Sequence, residues 1–292
     1  MWGAVSDLQI SNVEKKSEFR GIAIDNQQRL LIADSGLHCV NALDKEGHLS
    51  PLLDASLFDK PVDVAVDREG NLAVCDTGKN AVFIFNDEGK WIKTILEAEG
   101  KALSEPNGLA FSASGKLVIC DTGNHRVIIY SEFKFELAFG EKGRRRNQFY
   151  LPWMVVVDEN DMLFITDAGN HRIQVVTTQG RFLHTIGSQG SGELQFFEPT
   201  GIVTLRDCFL VSDHKNKRLQ VIAKRELRYI GSIGPYLNEE TQNFAGVWGA
   251  ACENTDLETV TVYVGEKRRI VKLKLNVKKT MRKVPIPKEN DE

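Results

Sequence analysis

The chain repeats one pattern five times, and this periodicity restricts the folds open to it. In each copy a Gly- or Pro-marked start leads into an apolar run. A polar turn, a second apolar run ending in Asp, a short turn and a third apolar run follow. The second runs end at Asp34, Asp76, Asp121, Asp167 and Asp213, at spacings of 42, 45, 46 and 46 residues. A period of this length is typical of propellers and solenoids.

The apolar runs have the character of β-strands. Each is short, rich in Val, Ile, Leu and Phe, and bounded by Gly, Asn, Asp or Pro. A fourth run completes some copies, as in Phe182–Gly187. Four antiparallel strands per period indicate the blade of a β-propeller, whose two apolar sheet faces must stack on neighbouring blades.

The two ends of the chain complement each other. A degraded sixth copy between residues 247 and 273 supplies three strands and lacks the Asp, whereas Val5–Ile10 reads as an isolated strand. Pairing these parts would remove an open sheet edge. We therefore expect an all-β fold: a six-bladed β-propeller of four-stranded antiparallel blades over residues 1–277, closed by the N-terminal strand and followed by a charged tail over residues 278–292. The alternative is an open solenoid.

Composition excludes several classes of protein. The formal charge is −3, which does not indicate a bulk polyanion binder, so we expect no DNA partner. No apolar run approaches the roughly 20 residues of a membrane helix, and the first 20 residues do not read as a signal peptide. Five cysteines without a C-x-x-C pair argue against a disulfide framework and a zinc site. We expect a cytoplasmic protein without a membrane partner.

The turn after each repeated Asp carries a family resemblance. The segments Asp121-Thr-Gly-Asn-His-Arg-Val127 and Asp167-Ala-Gly-Asn-His-Arg-Ile173 resemble the NHL repeat. The linkers over residues 139–149 and 186–196 are similar to the spacers between the blades of TRIM-NHL proteins. The resemblance implies a propeller that acts as a binding module, whose loop face binds RNA in some members and protein in others. Since no RING or B-box is present, we expect no enzyme activity in this chain.

Residues that recur at the same position in several copies are expected to serve the fold. Asp121 and Arg126 stand five residues apart, and the same pair recurs in the next two copies. We interpret the carboxylate as a cap for turn N–H groups and the guanidinium as a brace on a neighbouring blade. His38, His125 and His171 each follow an Asp by four residues, which places them in different blades and favours turn bracing over a shared metal. We expect no metal and no cofactor.

Residues that differ between copies are the better guide to function. In a propeller, the turns after the second strands and the loops leading into the first strands lie on one face, here called the Asp face. Basic groups beside aromatic plates there are typical of single-stranded RNA binding, and the same features form protein hot spots. The candidate binding residues are Arg20, Lys79, Asn107, Asn124, Arg144, Arg145, Tyr150, Trp153, Asn170, Lys215, Lys217, Trp248, Lys267 and Arg268; Asp63 lies in the same set.

Three functions follow as hypotheses. The first is recognition of short single-stranded RNA on the Asp face, for post-transcriptional regulation. The second is recognition of a protein substrate for a TRIM-type ubiquitin ligase whose chemistry lies outside this chain. The third is a metal-dependent lyase or lactonase holding Ca²⁺ or Zn²⁺ in the central channel. No catalytic residue is assigned, because no Gly-rich phosphate loop, serine-nucleophile elbow or H-E-x-x-H motif is present.

Overall fold

The structure is a computed structural model of the 292-residue chain. It describes residues 5–7, 10–11, 13–205, 207–234, 249–254, 259–266 and 269–276. Trp248, Lys267, Arg268 and the tail expected over residues 278–292 lie outside the described residues.

The described chain is built almost entirely from short strands, as the repeat predicts. Three-residue 3₁₀ turns lie at Ala55–Leu57, Thr122–Asn124, Ala168–Asn170 and His214–Asn216. The strands are β1 (Val5–Asp7), β2 (Phe19–Ile24), β3 (Leu30–Asp34), β4 (Cys39–Leu43), β5 (Leu49–Leu53), β6 (Pro61–Val66), β7 (Leu72–Asp76), β8 (Ala81–Phe85), β9 (Trp91–Ile95), β10 (Glu97–Ala98), β11 (Lys101–Ala102), β12 (Pro106–Phe111), β13 (Leu117–Asp121), β14 (Arg126–Ser131), β15 (Lys134–Phe139), β16 (Pro152–Val157), β17 (Met162–Asp167), β18 (Arg172–Thr177), β19 (Phe182–Ile186), β20 (Ser188–Gln189), β21 (Gln195–Phe196), β22 (Pro199–Thr204), β23 (Cys208–Asp213), β24 (Arg218–Ala223), β25 (Tyr229–Ile233), β26 (Gly249–Asn254), β27 (Thr259–Glu266) and β28 (Arg269–Asn276).

The prediction of an all-β propeller of four-stranded antiparallel sheets is confirmed. Blades made of four consecutive strands number five in the described chain, not six: β2–β5, β6–β9, β12–β15, β16–β19 and β22–β25. We call these the first to fifth blades. The remaining four-stranded sheet is a composite, in which β26–β28 are completed by the N-terminal strand β1. The pairing of Val5 with Leu273 is the strand exchange that the two chain ends predict.

The first strand of each blade lies innermost, against the first strands of its neighbours. Contacts run from β2 through β6, β12, β16 and β22 to β26, and β26 returns to β2. The approach is close: a Cβ on Gly108 would lie 2.5 Å from the Cα of Met154 and 2.6 Å from the carbonyl oxygen of Trp153. Glycine at this point therefore allows two inner strands to pack backbone against backbone.

Strand register defines the Asp face in atomic terms. In the third blade Pro106, which opens the first strand, pairs with Asp121, which ends the second. In the fourth blade Pro152 pairs with Asp167 in the same way. The fourth strands also end at this level, since Phe139 pairs with Val127 near the start of the third strand. The connecting loops between blades therefore lie on the Asp face, beside the turns that carry the repeated Asp.

Apolar cores fill the spaces between neighbouring sheets. Ile84 of the second blade packs in one buried cluster with Ile119 of the third, and Phe164 of the fourth packs with Phe209 of the fifth. The composite sheet contributes Tyr263 to a cluster with the first blade. Burying apolar side chains on both faces of a sheet requires a neighbour on each side, so the blades depend on one another for stability.

Cys39, Cys75, Cys120 and Cys208 are buried and form no disulfide. Within the described ranges, no helix has the length and apolar character to cross a membrane.

Candidate functional site

Each repeated Asp is a fully buried cap for the loop that leads into its own blade. Asp121 accepts the Ser104 N–H at 2.7 Å, and Asp167 accepts the Tyr150 N–H at 2.7 Å. Asp213 accepts the Phe197 N–H at the same distance. The structural interpretation of the repeated Asp is therefore correct. Burial is the largest influence on the pKa of Asp167 and raises it, although hydrogen bonds from Asn170, Tyr150 and Arg172 oppose the change.

The repeated Arg binds a connecting loop rather than a neighbouring blade, which corrects the sequence interpretation. The Arg126 guanidinium donates to Asp121 at 2.7 Å and to the carbonyl oxygens of Ala98 and Lys101. Arg172 donates to Asp167 and to carbonyl groups in the loop over residues 144–148. The guanidinium donates to several loop carbonyls at once, so the same residue type recurs where a connecting loop is held.

The residue four positions after Asp joins its blade to the next one. His125 Nδ1 accepts the Leu151 N–H at 3.2 Å, and Asn80 Oδ1 accepts the Glu105 N–H at 2.7 Å. His171 accepts the Glu198 N–H at 3.1 Å. Turn bracing by histidine is therefore correct, and the structure adds that the brace crosses between blades.

Five of the predicted binding residues are held by the fold itself. Asn124 and Asn170 donate to Asp121 and Asp167 and to loop carbonyls. Asn107 donates to the Glu105 carbonyl. Arg20 is largely buried, with Glu18 as its ion-pair partner at 2.7 Å, and the exposed Lys79 donates to the Leu57 carbonyl at 2.7 Å.

Another group of predicted residues is exposed on the Asp face. Arg144 and Arg145 are exposed, and their main-chain carbonyls, not their side chains, hold Arg172. Lys215 lies 3.6 Å from a Glu198 carboxylate oxygen, and Lys217 is exposed. These side chains leave their charges at the surface, where an anionic ligand can reach them.

Trp153 differs from its expected role. The sequence suggests that no core requires a large aromatic there, yet Trp153 is partly buried and packs against the apolar cluster between the fourth and fifth blades. Its indole therefore contributes to packing between these two blades.

Tyr150 is an exposed aromatic on the Asp face, with 39% of its surface accessible. The Lys142 ammonium lies 5.3 Å from the ring centroid, within the range of a cation–π contact, and the His125 ring lies at 5.5 Å. A Cβ on Gly169 would lie 2.2 Å from the Tyr150 ring, so this glycine makes room for it.

A cavity of about 400 Å³ is lined in part by His125 and Lys142, the two residues that contact the Tyr150 ring. Its lining combines cationic and anionic groups: Lys101, Lys142 and Arg126 with Glu99 and Glu141. His125 also lines the cavity, and its pKa is lowered first by burial and then by Lys142 and Lys101.

Asp63 does not lie on the Asp face but in the central channel, which corrects its assignment. It is 4% exposed and stands among apolar side chains of the inner strands, including Val64 and Met154, around a cavity of about 200 Å³. Its Oδ2 accepts the Leu109 N–H at 2.9 Å. Burial raises the pKa of Asp63 from 3.8 to about 7, although main-chain hydrogen bonds oppose the change. The sequence could have indicated this difference, because Asp63 occupies the position at which three other copies have Gly21, Gly108 and Gly201.

We expect Asp63→Asn to remove a pH-dependent part of the stability. A raised pKa means that the folded state binds the proton more tightly, so the contribution of Asp63 to stability falls between about pH 4 and 7 and is constant above that. The asparagine retains an acceptor for the Leu109 N–H without charge. Urea unfolding from pH 5 to 8 should show the variant gaining stability relative to wild type as pH rises; a pH-independent difference would contradict this.

Within the described residues, no three His, Cys, Asp or Glu side chains lie close enough to hold a metal ion. The channel end occupied by Asp63 is lined by Val, Ile, Leu, Ala, Phe and Met side chains.

Comparison with known proteins agrees with the geometry of the turns. The sequence profile of the NHL repeat matches residues 58–85, 103–130 and 149–176. Protein brain tumor of Drosophila melanogaster is 34% identical over 73 residues, which is 25% of this chain and 7% of that protein. NHL repeat-containing protein 2 of Gallus gallus is 35% identical over 79 residues, which is 24% of this chain and 11% of that protein. The matches thus span only a small part of these relatives.

The fold is shared with enzymes of low sequence similarity. A gluconolactonase from Xanthomonas campestris, XC5397, aligns with a TM-score of 0.70 at 16% identity, covering 90% of this chain and 88% of that one. Identity at this level is evidence for a common architecture only. Repeat matches, strand order and turn geometry agree: this chain carries NHL repeats on a β-propeller of four-stranded antiparallel sheets.

Proposed function

We propose that the Asp face binds short single-stranded RNA, with Tyr150 as a stacking plate and Lys142, Arg144 and Arg145 as phosphate contacts. The observation that supports this most is the exposed Tyr150 ring beside a basic connecting loop. A base that stacks on the ring takes the place of the Lys142 ammonium, which then pairs with a phosphate. Stacking on an aromatic plate beside cations is the general mode of single-strand recognition. We propose that such RNA binding serves post-transcriptional regulation.

Tyr150→Ala tests the stacking contact. We expect the affinity for a fluorescein-labelled random 12-nucleotide RNA, measured by anisotropy, to fall roughly tenfold, since stacking on an aromatic is worth about 1–3 kcal/mol per base. Trp91→Ala is the matched control, because Trp91 is 61% exposed but lies on an outer strand of the second blade. Equal effects of the two variants, or no RNA binding by wild type, would contradict the proposal.

The double variant Arg144→Ala, Arg145→Ala tests the phosphate contacts. Binding should weaken as salt rises, with a slope of about −0.7 per phosphate contact. Because the double variant removes two such contacts, it should make the slope shallower by about 1.4. Main-chain carbonyls of both residues hold Arg172, so truncating the side chains leaves this support in place. Lys134→Ala removes an exposed cation from the outer strand β15 and should leave the slope unchanged.

Recognition of a protein, for example a ubiquitin-ligase substrate, is the second candidate. The mixed charge of the cavity lined by His125 and Lys142, in which Glu99 and Glu141 lie among the cations, favours it. A partner protein that is lost with Tyr150→Ala and retained after ribonuclease treatment would favour this function over RNA binding.

An enzymatic role is the third candidate, supported by the shared architecture with a gluconolactonase. Metal analysis of the purified protein discriminates it: a stoichiometric divalent ion would favour a lyase or lactonase.

A further inference from the structure

We propose that His125 is a proton-sensitive latch: its unprotonated Nδ1 holds the Tyr150–Leu151 segment against the third blade, and protonation of Nδ1 releases that segment. The inference concerns the free protein and does not depend on what the Asp face binds. It starts from the hydrogen bond in which the Leu151 N–H donates to His125 Nδ1 at 3.2 Å.

The direction of this hydrogen bond decides the protonation state of the ring. A main-chain N–H can only donate, so Nδ1 must carry a free lone pair while the bond exists. Neutral histidine then holds its proton on Nε2. In the imidazolium form both ring nitrogens are donors, and Nδ1 would point a proton at another proton. The contact is thus available to one protonation state only.

Repeats of the same motif show that the contact, not the histidine, is what the fold needs. In the second blade Asn80 takes the equivalent position, and its Oδ1 accepts the Glu105 N–H at 2.7 Å. Both acceptor residues adopt a left-handed backbone, with φ of 50° at Asn80 and 57° at His125. An asparagine side chain does not titrate, so the second blade holds the third with a pH-independent version of the same latch.

The segment that the latch holds is under conformational constraint. Leu151 has a φ of 57°, a left-handed conformation that is costly for a leucine, and it precedes Pro152. Tyr150 adjoins it, and the Tyr150 ring contacts the His125 ring. Loss of the hydrogen bond would remove one of the interactions that keep Leu151 in this conformation and Tyr150 in place.

Charged groups around His125 set the pH range of the latch. Lys142 from the following loop and Lys101 from the preceding loop disfavour the imidazolium, whereas Asp167 of the fourth blade favours it. Burial is the largest influence, and together these lower the pKa of His125 below 6.5. The latch is therefore closed at neutral pH and opens in acid. The other titratable groups near the ring are Glu99, Glu141, Tyr150, and the paired Asp121 and Arg126 of its own turn.

Amide hydrogen exchange of the full chain, followed by NMR between pH 5 and 8, tests the proposal. Exchange rates are converted to protection factors, which removes the intrinsic pH dependence of exchange. We expect the protection of the Leu151 amide to fall as the pH drops below about 6.5, the ordinary pKa of a histidine, by up to about tenfold per pH unit. The fall should level off below the lowered pKa that His125 has in the latched state. The Glu105 amide, held by Asn80, is an internal reference and should keep its protection.

His125→Asn is the decisive variant, since it installs the residue that the second blade uses at this position. The Leu151 amide should stay protected in acid in this variant. His184→Asn, which changes an exposed histidine on the outer strand β19, is the matched control and should behave as wild type. Equal loss of protection at Leu151 in wild type and His125→Asn, or no loss in wild type beyond that at Glu105, would overturn the proposal.

A measurement on the wild-type protein alone keeps the test independent of how the variants fold. The ring ¹⁵N shifts of His125 at pH 8 should show a proton on Nε2 and none on Nδ1. A proton on Nδ1 at that pH would overturn the latch directly.

Discussion

Asp121→Ala should lower the free energy of unfolding by about 3–5 kcal/mol, the cost of leaving a buried charge without its partner. Arg126 is buried, and its Nε lies 2.7 Å from the Asp121 carboxylate. Without that carboxylate the guanidinium has only loop carbonyls as partners, and the Ser104 N–H loses its acceptor. Urea unfolding monitored by tryptophan fluorescence measures the change.

Glu88→Ala provides the control for Asp121→Ala. Glu88 and Lys90 form an exposed ion pair at 2.6 Å, and solvent screening leaves such pairs with little effect on stability. We expect its unfolding curve to overlay that of wild type. If Asp121→Ala lowers the free energy of unfolding by less than about 1 kcal/mol, the buried ion pair does not stabilise the loop, contrary to our interpretation.

Gly108→Ala should destabilise the protein by about 1–3 kcal/mol, because the added methyl group has no space. Its Cβ would lie 2.5 Å from the Met154 Cα and 2.6 Å from the Trp153 carbonyl oxygen, so relief requires a shift of the neighbouring strand. Backbone conformation is not the cause, since the φ of Gly108 lies outside the left-handed region.

Gly192→Ala separates this packing effect from the general consequence of replacing glycine. The nearest atom to its Cβ is the Oε1 of Gln195 at 3.0 Å, at the end of a flexible side chain. Thermal unfolding should therefore show little change, or a small gain from the lower entropy of the unfolded chain. If Gly108→Ala unfolds at the same temperature as Gly192→Ala, the inner strands are less tightly packed than the structure indicates.

Local pattern sufficed for the strands and their order. Each of the five predicted Asp-terminated runs forms a strand that ends at its Asp. A short Val- and Ile-rich run between turn residues has few other stable conformations. The N-terminal strand was predictable as well, since an incomplete last copy leaves an edge that another strand must cover. Six blades were predicted, whereas blades of four consecutive strands number five in the described chain. The remaining sheet combines three strands from one end of the chain with one strand from the other.

The candidate binding face was less predictable than the strands that support it. Sequence reasoning located Tyr150 and the neighbouring arginines on one face, and strand register agrees with a common face. It could not distinguish Asn124, whose amide is committed to Asp121, from an asparagine free to bind a ligand. Nor could it show that Trp153 is partly buried and packs against an apolar cluster.

The repeat alone determined that this chain forms a propeller of stacked four-stranded sheets, because strand length, turn residues and spacing are local properties that recur from copy to copy. Tertiary structure alone decided which charges remain available. Asp63 became a buried acid only when inner strands enclosed it, and His125 became an acceptor only when the next blade brought the Leu151 N–H to its ring. Burial and hydrogen-bond direction depend on residues far apart in the chain, so they cannot be predicted from residue spacing.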